Sequence, residues 1–304
     1  MDKLKQRVLE VAILYYQENL TQQVIAQKLG ITRQTVSKLL KFAVDDGVVE
    51  IKINDPEKQT QLLEERLSQK LGVTVKVGVG TNSDDLLRKI ATVREACSYL
   101  NDNICTGDKK IGVAWGRTIQ EVIAQMKRIK TIGNIVYPLV GATNRDEGCY
   151  YTNKLVSDFA EKTGALAKYS MFPNYVSKSD LELIKQTQIY SEIQDLWANT
   201  DIALVGIGNV KTVNDLRINF DKEIVEVDFV GDIVMHVFDK GGKVLSTNQD
   251  SLCVSFDDIK RAKNTVAVAY GNSKVEAMIC ACKTGAINTL ITDEYTAKEI
   301  DELI

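Results

Sequence analysis

Residues Thr21 to Lys41 read T-Q-Q-V-I-A-Q-K-L-G-I-T-R-Q-T-V-S-K-L-L-K, and their spacing is that of a helix-turn-helix. Ala26 is small enough for two helices to approach closely, and Gly30 can take the left-handed conformation of a tight turn. Val36 and Leu39, three apart, lie on one face of the second helix and are expected to lock it onto the first. Thr32 is the expected N-cap, which starts that helix at Arg33. Gln22, Gln23, Thr32, Arg33, Gln34, Thr35, Ser37, Lys38 and Lys41 are then the candidates for contact with double-stranded DNA. Arg33 and Gln34, at the start of the recognition helix, are expected to read bases, and Lys38 and Lys41 to hold phosphates. An ordinary helical hairpin with a solvated face is the plainer reading. Against it stand the joint spacing of Ala, Gly, Val and Leu, and the three cations without an acid from Arg33 to Lys41.

Charge divides the chain in the same place. Residues 1–53 carry eight Lys/Arg against six Asp/Glu, and the remainder carries 30 against 35, so a mildly cationic reader precedes an acidic body. At 304 residues, 44% hydrophobic and 26% charged, the chain suits one small and one large globular domain. The amino terminus lacks the apolar run of a secretory signal, and no stretch approaches the length of a membrane span. A cytoplasmic protein without a membrane partner is expected. The six cysteines form no C-x-x-C pair and His236 is the one histidine, so buried reduced thiols are expected, with no metal and no cofactor.

Outward from the motif, helical spacing predicts a first helix over about Asp2–Glu18. V-V-E-I-K-I (48–53) reads as a wing strand, and Asn54-Asp55-Pro56 breaks it. The expected division is a helix-turn-helix domain over 1–53, a linker helix over 54–71 and an effector-binding and oligomerisation domain over 72–304. Strands are expected at 73–79, 110–114, 134–140, 202–207, 265–270 and 288–292. Helices are expected near Asp84–Asn101, Ile119–Lys127, Tyr151–Lys162, Leu181–Trp197, Lys274–Thr284 and Glu294–Ile304, with 209–262 left without a firm assignment. The alternation predicts an α/β, doubly wound, mostly parallel sheet with a ligand at the carboxyl ends of its strands.

Those strand ends carry anion-binding chemistry. W-G-R-T places Gly116, Arg117 and Thr118 at a helix start, where backbone amides, a guanidinium fork and a hydroxyl can meet a phosphate. G-N-S-K repeats the pattern with Gly271, Asn272, Ser273 and Lys274. G-A-T-N begins at Gly141, and G-I-G spans Gly206 to Gly208.

The segments I-G-V-A-W-G-R-T (111–118), G-I-G, V-G-D-I (230–233), A-Y-G-N-S-K (269–274) and L-I-T-D-E-Y-T-A (290–297) resemble the SorC family of bacterial sugar-responsive transcription regulators. The resemblance runs through essentially the whole chain. It implies an effector domain related to sugar-phosphate isomerases and deaminases, a phosphorylated sugar as effector, and a homo-oligomer, dimer or tetramer, on DNA. It carries effector contacts over to Gly116, Arg117, Thr118, Gly141, Asp232 and Lys274. Where some members have a lysine that forms a Schiff base, this chain has Val140, which argues for a non-covalent effector. Tyr270 stands where the family often has glycine and either narrows the pocket or fills the core. The expected function is control of a carbohydrate-utilisation operon, without enzymatic activity. The alternative is a sugar-phosphate isomerase or deaminase with an appended DNA-binding module, for which Asp232 and Lys274 would be the acid–base groups. A constitutive DNA-binding protein without any ligand is a third reading.

Overall fold

The computed structural model describes residues 3–50, 56–80, 84–104, 107–142, 152–174, 176–210, 229–246 and 251–304. The chain divides into two compact units, Met1–Asp55 and Pro56–Ile304.

In the first unit, α1 (Lys3–Ala12) runs into a π-helical turn (Ile13–Gln17), followed by α2 (Gln22–Leu29) and α3 (Arg33–Asp45). Thr21 and Thr32 are both N-caps, with side chains that accept from Val24 N–H at 3.4 Å and Thr35 N–H at 3.1 Å. Gly30 ends α2 at φ 62°, ψ 36°, the conformation the turn requires and glycine adopts without steric cost. The core joins Val8, Val11 and Leu14 to Ile25, Ala26, Val36, Leu40 and Ala43. The row that seats α3 is therefore Val36–Leu40–Ala43, and Leu39, expected to share the seam with Val36, is only partly buried at its margin. Of the expected wing strand, residues 48–49 form a bend, residue 50 is in no regular element, and 51–53 lie outside the described residues.

In the second unit, among the described residues, seven parallel strands are ordered β1-β11-β10-β5-β2-β3-β4. They are β1 (Thr74–Gly78), β2 (Lys110–Val113), β3 (Ile135–Pro138), β4 (Leu166–Ala167), β5 (Ile202–Gly206), β10 (Asn264–Val268) and β11 (Thr289–Asp293). Their side chains alternate between two buried faces. Ile111, Val113, Ile202, Leu204, Val266 and Val268 point to the core shared with α5 (Asp85–Ile104), α6 (Arg117–Gln125) and α7 (Thr152–Thr163). Tyr137, Ala203, Val205, Ala267 and Leu290 point to the other. That face is covered by α4 (Pro56–Leu71), α9 (Gln188–Ala198), α11 (Val275–Lys283) and α12 (Glu294–Leu303). Residues on both faces must be apolar, which is why these strands read as near-continuous hydrophobic runs.

The helix expected over 57–71 forms as α4 and closes the edge of β1. Its Ser68 Oγ accepts Val75 N–H at 2.9 Å and its Glu64 Oε1 accepts Val77 N–H at 2.8 Å. Two donors of an edge strand are thereby satisfied and kept from pairing elsewhere. The single helix expected over Leu181–Trp197 is instead α8 (Lys178–Lys185) and α9, because Thr187 interrupts it and caps α9 by accepting Tyr190 N–H at 3.2 Å. Region 209–262 supplies α10 (Phe256–Arg261) and an antiparallel sheet. That sheet joins β6 (Gly208–Asn209), β7 (Phe229–Ile233), β8 (His236–Asp239) and β9 (Val244–Ser246) in order.

Candidate effector site and DNA-facing helix

The order of strand addition reverses between the parallel neighbours β2 and β5: β3 and β4 build outward from one, β10 and β11 from the other. The crevice at such a switch point is where open α/β sheets bind ligands. Since β2, β5 and β10 are adjacent, the loops that follow them start within about 10 Å of one another. W-G-R-T, G-I-G and Y-G-N-S-K thus share one edge.

Gly116 (φ 126°) starts α6, and Gly271 (φ 97°) starts the 3₁₀ turn Asn272–Lys274 that leads into α11. Among the described residues neither start carries a side-chain cap, and open space lies over Gly116, Gly206 and Gly271. The first-turn amides of α6 and the partial positive charge at its end are therefore presented to that space. Arg117 is exposed and Thr118 half-buried beside it. Tyr270 lies half-buried between the loops; burial pushes its hydroxyl up to about 12, helped by the charges of Glu121 and Asp85 and opposed by Arg117.

Lys274 and Asp232 influence each other's charge. Lys274 Nζ donates to the Ile207 carbonyl at 2.8 Å. Burial lowers its proton affinity and the Asp232 charge raises it. Asp232 is 5% exposed, and burial holds its carboxyl up at about 6 against the opposing pull of the Met235 amide and Lys274. The small sheet delivers Asp232 here: β7 pairs with β6, setting Asp232 opposite Gly208, directly after β5. The β7–β8 turn consists of Val234 and Met235 at φ 49° and 71°, and Met235 N–H donates to Asp232 Oδ2 at 3.2 Å. A β-branched residue at positive φ is strained, and here the carboxylate helps to hold it.

Other expected contacts are placed differently. Gly141 is buried, with its N–H donated to the Leu252 carbonyl at 2.7 Å and Asn174 packed against its Cα. Val140, fully buried, belongs to the apolar core, and no amine stands at that position. The Asn272 side chain is engaged at both ends, its Oδ1 by Arg88 and its Nδ2 by Glu299. Ser273 is exposed, and its carbonyl accepts from Asn209 Nδ2 at 2.9 Å. His236 is buried with Nε2 2.8 Å from the Val254 carbonyl, whereas its Nδ1 has no partner among the described residues. The described cysteines, Cys97, Cys253, Cys280 and Cys282, are free thiols, three of them buried. Arg88, which no motif flagged, lies 3% exposed at this same edge. The signal was an arginine at the start of an otherwise core-facing helical stretch.

On the first unit, Arg33, Gln34, Thr35, Ser37, Lys38 and Lys41 are all exposed on α3, and Gln23 is exposed on α2, with Gln22 half-buried. Thr32 is exposed, but its Oγ1 caps α3 and lies 2.8 Å from Thr35 Oγ1, so both hydroxyls have partners within the helix start.

Comparison with known proteins bears on the two units and their fold. The family model described as "Putative sugar-binding domain" matches residues 55–300, and that of "Sigma-70, region 4" matches residues 1–46. The chain is 28% identical to the deoxyribonucleoside regulator of Bacillus subtilis over 310 residues, covering 99% of each. It is 28% identical to the sorbitol operon regulator of Klebsiella pneumoniae, covering 96% of each. The crystal structure of that full-length regulator, SorC, superposes with a TM-score of 0.73 at 25% identity, covering 99% of both chains. The chain therefore belongs to the SorC-type family of sugar-binding transcriptional regulators. Among the described residues no helix is long and apolar enough to cross a membrane.

Proposed function

We propose that this regulator binds operator DNA of a carbohydrate-utilisation operon through α3, with an affinity set by a phosphorylated sugar held non-covalently at the carboxyl edge of the parallel sheet. The observation that carries the ligand reading is the pair of uncapped helical starts over open space, beside Arg117 and Lys274. Phosphate suits the amides and the cations, and sugar hydroxyls suit Asp232, which accepts several hydrogen bonds when ionised. Gly141 contributes through packing and Asn272 through its backbone in this reading, since the Gly141 N–H and the Asn272 side chain are already engaged. A homo-oligomer, dimer or tetramer, places two copies of α3 on two half-sites of double-stranded DNA. The cytoplasm is the compartment where both partners meet. To act as a signal, the sugar phosphate must bind one arrangement of the oligomer better than another.

The relatives are named as regulators, which favours regulation over catalysis by the same pocket. The test is a panel of phosphorylated sugars, read by the fluorescence of Trp115 in the W-G-R-T loop, by melting temperature and by operator affinity. At least one member should shift all three. A panel that shifts none of them sinks the effector reading, and turnover of any member seen by NMR would establish the isomerase or deaminase alternative.

A further inference from the structure

Arg88 lies on α5, remote in sequence from both cationic loops, yet its guanidinium ties one of them to α12. Nε donates to Asp293 Oδ1 at 3.1 Å, Nη2 to Thr296 Oγ1 at 2.7 Å, and Nη1 to Asn272 Oδ1. The group also stands 4.6 Å from the Tyr295 ring centroid and 3.8 Å from Asp85 Oδ1. Asp293 is fully buried and caps α12, accepting Thr296 N–H at 2.9 Å. The Thr296 hydroxyl donates to Asp293 Oδ2 and accepts from both Arg88 and the Gly271 N–H, the latter at 3.0 Å. A hydroxyl has one proton and two lone pairs, and all three are used here.

We infer that Arg88, Asp293 and Thr296 form a positioning device that fixes the Gly271–Lys274 loop for its ligand, Arg88 acting through Asn272 and Thr296 rather than by touching the ligand. The inference rests on the reading of that loop as part of the effector site. Within the loop the Lys274 N–H donates to the Gly271 carbonyl at 3.0 Å and closes the 3₁₀ turn, while glycine at φ 97° imposes no single conformation where the loop begins. What anchors that beginning to the rest of the domain is the pair of contacts at the Gly271 amide and the Asn272 side chain, while Asn209 holds the Ser273 carbonyl further along. A buried ion pair is a poor route to stability, because well-packed apolar residues of the same volume are often as stable. What the charged set supplies is orientation: a planar fork meets a carboxylate, a hydroxyl and an amide in one fixed geometry. In consequence the Asn272 side chain is a strut of the site, and the loop's charged contact to a ligand is left to Lys274.

The test uses the full-length protein, inorganic phosphate as probe, and the variants Thr296→Val and Thr296→Ser. Valine keeps the shape and loses the hydroxyl, whereas serine keeps the hydroxyl. Thr296→Val should weaken phosphate binding by about three- to tenfold in calorimetric titration, and Thr296→Ser should stay within about twofold of the parent. Amide exchange at Gly271, followed by NMR without ligand, should accelerate in Thr296→Val and not in Thr296→Ser. Arg88→Lys, which keeps the charge and loses the fork, should resemble Thr296→Val in both measurements. Unchanged Gly271 exchange in Thr296→Val, or equal loss in the valine and serine variants, overturns the inference. If the parent itself ignores phosphate, the phosphate reading of the site fails, and the exchange measurement still decides whether the device holds the loop.

Discussion

Lys274→Met should destabilise the protein in a pH-dependent way, because the lysine serves both a carbonyl and a buried acid. Its ammonium donates to Ile207 O at 2.8 Å, and a hydrogen bond from a charged donor contributes about 1.5–3 kcal/mol. Asp232 sets the pH dependence. Its carboxyl titrates at about 6 in the folded protein against 3.8 for the ordinary group, so the folded state holds this proton more tightly than the unfolded chain. The stability that results is complete below pH 3.8 and is lost as pH rises through about 6. Lys274 pulls that value down, so removing it raises the value further and extends the loss to higher pH. The hydrogen bond is lost at every pH and the Coulombic support only where Asp232 is ionised, so the variant should lose about 1.5–3 kcal/mol at pH 5, roughly 4–10 °C in melting temperature, and clearly more at pH 8. Asp232→Asn in the same background removes the ionisation while keeping an acceptor for Met235 N–H. It should recover the extra loss seen at pH 8 over pH 5 without restoring the response to phosphorylated sugars. Thermal melts of the single and double variants at both pH values decide the matter. A melting shift equal at pH 5 and pH 8, or no recovery with Asp232→Asn, would refute the coupling between the two residues.

Three further outcomes follow from the same geometry. Arg117→Ala, at an exposed position on α6, should leave melting nearly unchanged but weaken phosphorylated-sugar binding by roughly tenfold or more in titration calorimetry, the worth of one charge-assisted contact; undiminished binding would place the phosphate elsewhere. Thr32→Ala removes the acceptor for Thr35 N–H and should cost about 1 kcal/mol, seen as faster amide exchange in the first turn of α3; unchanged exchange would mean the cap carries no energy. Arg33→Ala and Gln34→Ala should relax discrimination among operator variants, whereas Lys41→Ala should weaken all sequences alike and lower the salt slope by about 1. Operator discrimination that survives both of the first two changes would refute that division of roles.

The motifs that need only local chemistry were legible at once. Thr32, Gly30 and Val36 do in the folded chain what their residue types dictate, as cap, left-handed turn and core anchor. The six expected strands all form in the parallel sheet, because burial on both faces makes each an apolar run. What escaped was short or strained. β4 has two residues and β6 two, too few to show a period, and the β7–β8 turn uses Val234 and Met235 where a sequence reading looks for Asn or Gly. Leu39 and Leu40 are both apolar neighbours of the seam, and only the docking angle of α3 decided that Leu40 is the more deeply buried.

The sequence by itself determined the two kinds of module and the residue types gathered at strand ends, since helix starts, glycine turns and apolar periodicity are written within a few consecutive residues. Tertiary structure decided which of those residues meet. It brought Asp232 to Lys274 through a second sheet formed from the unassigned region, and it tied Asn272 to Arg88, 184 positions away. The physical reason is that a hydrogen bond or a Coulombic pair depends on distance in space, and in a doubly wound sheet that distance is set by strand order rather than by position along the chain.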